Sequence, residues 1–209
     1  MRSANGGIAP LFQSPRLVAA VAELASLAAL GTMTTSSTPQ VRWLDFSGAP
    51  PMLIPRSLAR SWRGTTDPTT GEFRQFDRQN PVTDYDRAVA AAWPGRSILE
   101  FMGARLLVLY SEYDQHTWDS SRLILACGGW LPSDEVLRQA PWTDPVCWRA
   151  EHTDYLLMNS AADAAHDLRD DDFMPVRLSP GIYTVEYSDI ASEFVGCFHR
   201  FIRDGHAAS

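Results

Sequence analysis

The chain has 209 residues, of which 45% are hydrophobic, and this composition favours a globular domain with a substantial core over a disordered chain. Its formal net charge is -7, which makes the phosphate backbone of a nucleic acid an unfavourable partner and a basic protein a better one. The three cysteines include no Cys-x-x-Cys pair, which argues against a disulfide framework or a zinc knuckle and is consistent with a reducing, cytosolic environment.

The N-terminal region contains an apolar, Ala-rich run over residues 16–30. Glu23 interrupts this run, which is also too short to span a bilayer. Met33 is followed by a polar leader and then by the first clear strand signal. We therefore predict an N-terminal extension over residues 1–40, weakly helical or poorly ordered, with the physiological start at Met33. The domain is predicted to cover residues 41–204, with a tail over residues 205–209.

The first strongly patterned segment is "FSGAPPMLIPRSLARSW", residues 46–62. Two prolines precede the apolar run Met52-Leu53-Ile54, which predicts an edge strand or the start of a strand. Pro55 suits the first turn of a following helix, with Leu58 and Trp62 on one face and Gly64 at the C-terminal cap.

Two further helices are predicted from their end signals. "TDYDRAVAAAWPG" indicates a helix that begins near Thr83 or Asp84 and is stopped by Pro94-Gly95. "PSDEVLRQAP" indicates a short helix with Ser133 at its N-cap and Pro141 beyond its end.

No nucleophile or nucleotide motif is present: the sequence contains no Gly-x-Ser-x-Gly, no His-Glu-x-x-His and no glycine-rich phosphate loop. In "YSEYDQHTWD", Glu112, Asp114 and His116 alternate and would project from one strand face as a metal-binding set, which would fit a metal-dependent hydrolase. The simpler interpretation is the solvated tip of a hairpin that joins "RLLVLY" to "RLILAC". We prefer it, and expect no catalytic, metal-binding or cofactor-binding residue. His152 and His199 are expected to be structural.

An internal repeat is indicated by "HTDYLLMNSAADAAHDL", residues 152–168, which again places an apolar run before a helix, here capped by Ser160. Residues 103–111 and 181–188 also match each other, since both start with Gly and end on Tyr-Ser. We interpret this as a divergent duplication of a strand-helix-hairpin unit. Near the C-terminus, two strands joined at Pro180-Gly181 and a last strand containing Phe198 complete a β-rich α+β domain with antiparallel hairpins and short helices.

An acidic cluster follows the second apolar run. Asp163, His166 and Asp167 are spaced to line one helix face, and residues 170–172 would then lie at the helix C-terminus, where the dipole disfavours acids. Such an unfavourable placement suggests that these acids serve a basic partner. The predicted partner-binding residues are Glu112, Tyr113, Asp114, Asp167, Asp170, Asp171 and Asp172.

These motifs together resemble the immunity protein 21 family of bacterial polymorphic toxin systems. The resemblance covers about residues 41–202 and lies in "WLDFSGAPPMLIPRSLARSWRG", "TDYDRA", "ARLLVLYSEYDQHTW", "RLILACGGW" and "LSPGIYTVEYS". Gly48-Ala49-Pro50 departs by one residue from the family's usual Gly-Gly-Pro.

The resemblance implies a cytoplasmic antitoxin that binds and neutralises a cognate toxin without catalysis. The charge and motifs of the sequence lead us to expect no cofactor, no nucleic-acid partner and no membrane contact. It supplies no binding residues, so the set named above rests on charge and aromatic content. Two alternatives remain open: the metal-dependent hydrolase, and a housekeeping interaction protein unrelated to toxins.

Overall fold

The structure is a computed structural model that describes residues 41–47, 49–92, 97–166, 169–191 and 195–205. The predicted N-terminal extension over residues 1–40 lies outside the described residues, and so does the predicted physiological start at Met33. Asp167 and the Pro94-Gly95 helix stop lie outside them as well.

The described residues form two antiparallel sheets and two short α-helices, which confirms the predicted β-rich α+β class. The strands are β1 (Leu44–Asp45), β2 (Pro51–Pro55), β3 (Ser97–Phe101), β4 (Ala104–Val108), β5 (Gln115–Asp119), β6 (Ile124–Cys127), β7 (Thr143–Ala150), β8 (Asp154–Asn159), β9 (Phe173–Arg177), β10 (Gly181–Ala191) and β11 (Val195–Arg203). Sheet I has the order β1-β5-β6-β11-β10-β7, and sheet II has the order β3-β4-β2-β8-β9.

Strand β2 lies at the centre of sheet II, between β4 and β8, so the edge position considered from its prolines is wrong. Met52 pairs with Met158, and Leu53 with Leu157, so the two apolar runs noted in the sequence lie side by side. Pro51 and Pro55 occupy the two ends of the strand. At such end positions a missing N–H interrupts the ladder least, which is why prolines are tolerated in a central strand.

Both faces of sheet II are covered, and this explains why β2 is buried along its whole length. On one face, Leu53 and Leu107 pack with Leu125 and Trp148 of sheet I in the main core between the sheets. Alternate residues of a strand point to opposite faces. The neighbours of Leu53 on the strand therefore belong to a second core on the outer side of sheet II.

This second core is built around Trp62, which is fully buried with Met52, Ile54 and Ala88. The Trp62 indole N–H donates to the carbonyl of Ser160 at 2.9 Å, so the buried ring has its polar atom satisfied. The outer face of sheet I carries a third, smaller cluster, built on its β6 and β11 strands and covered in part by Trp130 and Trp142.

The two α-helices begin where their caps predict. Helix α1 (Asp84–Ala92) is preceded by Thr83, whose hydroxyl accepts from Asp86 N at 3.0 Å, while the Asp86 carboxylate accepts from Thr83 N at 2.9 Å. This reciprocal pair is a capping box with Asp in the place of Glu. Helix α2 (Asp134–Gln139) has Ser133 at its N-cap, as predicted.

Two predicted helices are corrected. The segment after Pro55 forms only a short 3-10 helix, Ala59–Ser61, before Trp62 and the left-handed Gly64. The segment that Ser160 was expected to cap contains turns over residues 160–166, with no helix among its described residues.

The predicted duplication is not seen as two equivalent units. Residues 104–108 belong to sheet II, whereas their presumed counterpart in β10 belongs to sheet I. The strands on either side of Pro180-Gly181 likewise lie in different sheets, so that connection is a crossover between sheets.

Candidate functional site

The predicted hairpin between β4 and β6 is a crossover from sheet II to sheet I. Strand β4 pairs with β2 and β3, whereas the chain continues through residues 109–114 into β5, which forms the hairpin with β6. Leu109 is still tied to sheet II, because its N–H donates to the Pro51 carbonyl at 2.8 Å. Glu112, Tyr113 and Asp114 therefore lie on the crossover segment itself.

The alternative metal set of Glu112, Asp114 and His116 is not assembled. Glu112 and Asp114 are exposed, but His116 is fully buried, with its ring stacked on Phe46 at 4.7 Å. Its Nδ1 lies 2.9 Å from the Asp114 carbonyl, which is only an acceptor, so Nδ1 carries the proton. Burial lowers the pKa of His116 to about 4, so the ring is neutral at pH 7. The hydrolase alternative thereby loses the arrangement on which it depended.

An acidic patch does form at this crossover, and we define it as Tyr110, Glu112, Tyr113, Asp114 and Asp189. The Tyr110 hydroxyl donates to the Glu112 carboxylate. The Tyr113 hydroxyl donates to Asp189 Oδ1 at 3.3 Å, which links the crossover to strand β10. The patch therefore combines residues far apart in sequence, and Tyr110 and Asp189 were not predicted.

The two tyrosines of the acidic patch are held in their protonated form. The hydrogen bond to Glu112 raises the pKa of Tyr110 to about 12. Burial is the largest cause that raises the pKa of Tyr113 to about 12, and the neighbouring charge of Asp189 is the next largest. Both hydroxyls are consequently donors at neutral pH, and the negative charge of the patch stays on its carboxylates.

The carboxylates of the acidic patch have no arginine partner within the described residues. Elsewhere in the same chain many acids are paired, for example Asp163 with Arg63 at 3.3 Å and Glu186 with Arg200. Three exposed, unpaired carboxylates next to two tyrosines make a surface suited to a cationic partner, because Tyr and Arg are enriched among residues that dominate protein interfaces.

The second predicted acidic set is dispersed. The Asp163 carboxylate accepts from the Thr66 hydroxyl at 2.7 Å and from Arg63 Nε at 3.3 Å. Although burial alone would raise the pKa of Asp163, the hydrogen bonds from Thr66 and from the Ala165 N–H, together with the Arg63 charge, lower it overall. His166 Nε2 lies 3.2 Å from an Arg63 nitrogen. Asp163 is thus a structural residue that ties residues 160–166 to the segment after β2.

The remaining members of that set precede β9. Asp170 and Asp171 are exposed, and the Asp172 carboxylate caps a turn by accepting from Arg169 N at 2.9 Å. The described part of this segment contains only turns, so no helix dipole acts on these residues. The argument that they serve a partner because they lie at a helix C-terminus is therefore wrong. Their contribution to binding stays a prediction.

A buried cluster of metal-ligating side chains lies directly beneath the acidic patch. Cys127 of β6 and Cys197 of β11 are direct cross-strand partners, and His199 follows two residues later on the same face. One ligand atom from each of these three residues lies within 4.8 Å of the other two, and all three side chains are fully buried. We call this set the Cys2His cluster; among the described residues it alone meets that distance criterion.

The Cys2His cluster contacts the crossover from below. The Cys197 thiol lies 3.7 Å from the Ser111 hydroxyl, and His199 Nε2 lies 3.1 Å from the Tyr110 carbonyl. The expectation of a purely structural His199 rested on its isolation in the sequence. The Cys-x-His spacing in β11 was the available signal, since it places both side chains on one strand face, but the cysteine on the neighbouring strand is 70 residues away.

The opposite end of sheet I carries a cluster of arginines. An open cavity of about 840 Å³ lies there, beside Tyr183 and the C-terminal end of β11, and no carboxylate residue lines it among the described residues. Its arginines are Arg122, Arg138, Arg177, Arg200 and Arg203. Arg200 stacks over the Trp142 ring at 4.2 Å. Four of these five arginines are ion-paired, however: Arg122 with Asp119 and Asp134, Arg138 with Glu135, Arg177 with Asp154, and Arg200 with Glu186.

An exposed aromatic residue marks a third surface, the loop over residues 65–82. The Phe73 side chain is 77% exposed. The loop around it is ordered by Asp67, whose carboxylate accepts from Thr69 N at 2.8 Å, and by the buried Asp86. A fixed loop with an exposed ring suits a protein contact because little conformational entropy remains to be lost on binding.

A scan against protein-family models found no match, and neither did searches of curated proteins and of solved structures. Within the described residues, no helix combines the length and apolarity needed to cross a membrane. The resemblance to the immunity protein 21 family thus stays a prediction that rests on the sequence motifs.

Proposed function

We propose that this protein is a cytoplasmic immunity protein that neutralises a cognate bacterial toxin of a polymorphic toxin system by direct binding, without catalysis. The observation that supports this most is the acidic patch, whose three exposed carboxylates have no arginine partner among the described residues. In this proposal a basic surface of the toxin contacts the patch.

The electrostatics favour rapid capture of such a partner. The chain carries a formal net charge of -7, and a concentrated patch of the same sign adds a directed local field. Charges of this kind mainly raise the association rate, whereas buried aromatic anchors mainly slow dissociation. An immunity protein must bind before the toxin acts, so a fast association rate suits this function.

The central experiment compares three charge variants in stopped-flow association with the cognate toxin domain. The first variant, Glu112→Gln with Asp189→Asn, removes two charges from the acidic patch. We expect its association rate at low salt to fall by about tenfold and its dependence on ionic strength to flatten. The matched control, Glu151→Gln with Asp204→Asn, removes two exposed carboxylates that likewise have no arginine partner among the described residues, and it should bind at nearly the parental rate.

The third variant tests the opposite polarity. Arg138→Gln with Arg203→Gln removes two charges from the arginine-lined cavity and should leave association with a basic toxin unchanged or slightly faster. The opposite result would be an unchanged association rate for the Glu112/Asp189 variant together with a lower rate for the arginine variant. It would show that the partner is acidic and that the acidic patch is not the contact.

Neutralisation separates an immunity protein from a housekeeping interaction protein. Co-expression of the chain should restore growth to cells that produce the toxin, and the two proteins should co-purify. Growth arrest that persists despite matched expression of both proteins would contradict the immunity function, even if another partner were bound at the patch.

A further inference from the structure

We propose that the Cys2His cluster, formed by Cys127, Cys197 and His199, is a site for zinc. The three residues come from two adjacent strands whose register places Cys127 opposite Cys197. Two sulfur ligands and one imidazole match the preference of zinc, which is bound in proteins by Cys and His in tetrahedral sites.

The distances allow the ion to fit with small movements. Ligand atoms around a tetrahedral zinc ion are separated by roughly 3.3–3.8 Å, given Zn–S near 2.3 Å and Zn–N near 2.0 Å. In the structure one ring nitrogen of His199 and the two sulfur atoms already lie within 4.8 Å of one another, and all three side chains are fully buried. The remaining shift of roughly 1 Å is within the range of a side-chain adjustment.

The hydrogen bond of His199 orients the ring for this role. Nε2 lies 3.1 Å from the Tyr110 carbonyl, and a carbonyl can only accept, so in the neutral ring the proton is on Nε2 and the lone pair is on Nδ1. Metal-binding histidines usually donate their second N–H to a carbonyl or carboxylate in this way, which fixes the tautomer. The Ser111 hydroxyl lies 3.7 Å from Cys197 Sγ, so the described protein groups supply three ligands and leave the fourth position open.

The charge balance suits an apolar core. Two thiolates neutralise a divalent ion, so the buried unit has no net charge, which limits the desolvation penalty. Because zinc binds thiolates and not thiols, its affinity for the cluster should rise with pH.

The site also has a structural consequence for the acidic patch, which goes beyond the proposed function. Ser111 and the Tyr110 carbonyl contact the cluster and belong to the same crossover that carries Glu112 and Asp114. An ion held there would fix the crossover from below. Metal content, however, can be measured without any toxin, so this inference and the toxin-binding proposal can fail separately.

The test uses the full-length chain, purified with reductant and without chelator, then equilibrated with equimolar zinc and dialysed. We expect about one equivalent of zinc, and with cobalt a visible absorption spectrum typical of tetrahedral coordination with sulfur-to-cobalt charge transfer. Cys147→Ser is the matched control, because Cys147 is an exposed thiol on β7 outside the cluster, and it should retain both signals.

Cys197→Ser and His199→Gln should each lower zinc affinity by at least tenfold, measured by competition with a coloured chelator. Circular dichroism checks the fold of each variant. If one variant fails to fold, the cobalt spectrum of the wild-type chain decides the question by itself, since exposed carboxylate sites give no sulfur-to-cobalt band. Two results would overturn the proposal: a wild-type chain without zinc and without that band, or unchanged affinity in both folded variants.

Discussion

The buried carboxylate of Asp86 permits a sharp stability prediction. Asp86 is fully buried at the third position of α1, and it accepts hydrogen bonds from the backbone N–H groups of Asp77 at 3.0 Å, Val82 at 3.1 Å and Thr83 at 2.9 Å. These three bonds fasten the end of the loop that exposes Phe73 to the start of the helix. The substitution Asp86→Asn keeps the shape of the side chain but changes its hydrogen-bonding groups.

The expected cost follows from the geometry. Oδ2 accepts from Val82 and Thr83, whereas Oδ1 accepts from Asp77. Asn has one carbonyl oxygen, so its amide NH2 group must face at least one of these N–H donors. A buried donor left without an acceptor costs about 1–3 kcal/mol, and the other bonds lose the strength supplied by the charge, so we expect a total loss of about 3 kcal/mol. For a chain of this length that corresponds to a decrease in Tm of roughly 6–12 °C.

The same contacts predict how the loss depends on pH. Burial alone would raise the pKa of Asp86, but the hydrogen bonds from Thr83, Asp77 and Val82 outweigh burial and lower it. A carboxylate with a depressed folded-state pKa stabilises the protein above its unfolded pKa of about 3.9, and this stability is lost as the pH falls through the folded value. The difference between wild type and Asp86→Asn should therefore be full at neutral pH and shrink below about pH 4.

Urea unfolding followed by circular dichroism, at neutral pH and at acidic pH, measures both effects. Glu72→Gln is the control, because it removes an exposed carboxylate from the same loop and should change stability by less than about 0.5 kcal/mol. A loss below about 1 kcal/mol for Asp86→Asn at neutral pH would refute the argument that this carboxylate organises the loop.

Three further predictions can be checked by the same unfolding measurements. Gly64→Ala should destabilise the protein by well over about 1 kcal/mol, since the backbone at Gly64 has φ +51° and a Cβ would lie 2.3 Å from the Ala161 carbonyl oxygen. The control Gly71→Ala, at φ +74° with open space around the position, should cost only the backbone strain. Equal losses of stability in the two variants would contradict the effect of the close approach at Gly64. Ser133→Ala should cost about 1 kcal/mol through loss of the α2 N-cap, and an unchanged midpoint would show that the cap contributes nothing. A chain that begins at Met33 should keep its Tm within about 4 °C of the full-length value, and a larger loss would show that residues 1–32 belong to the fold.

The local elements could be predicted because their signals act over a few residues. Thr83 and Ser133 cap the helices at the predicted positions, since a side-chain oxygen needs only the N–H groups two or three residues ahead. The apolar run Met52-Leu53-Ile54 forms a strand as predicted, and its prolines occupy the strand ends. The exposure of Glu112 and Asp114 also agrees with the expectation of a solvated segment, although that segment is a crossover.

The helix expected after β8 does not form, because tertiary hydrogen bonds engage the backbone groups that it would use. The backbone groups that would form its first turn are bound by the segment after β2: the Ser160 carbonyl accepts from the Trp62 indole, and the Ala161 carbonyl accepts from Thr65 N at 3.2 Å. Ala164 N donates to the Trp62 carbonyl at 3.0 Å. Because these groups are already hydrogen-bonded, no helix begins at Ser160 despite its capping signal.

The sequence by itself determined the strand content, the two α-helix starts and the acidic character of the chain, because these depend on composition and on contacts between near neighbours. Only the tertiary structure decided which sheet each strand joins, and hence that Asp189 completes the acidic patch and that Cys127 faces Cys197. Strand pairing is set by the burial of whole faces, and a shift of one residue would turn every side chain to the other face. Such long-range register has no local signature, so a site assembled across strands appears only once the sheets are formed.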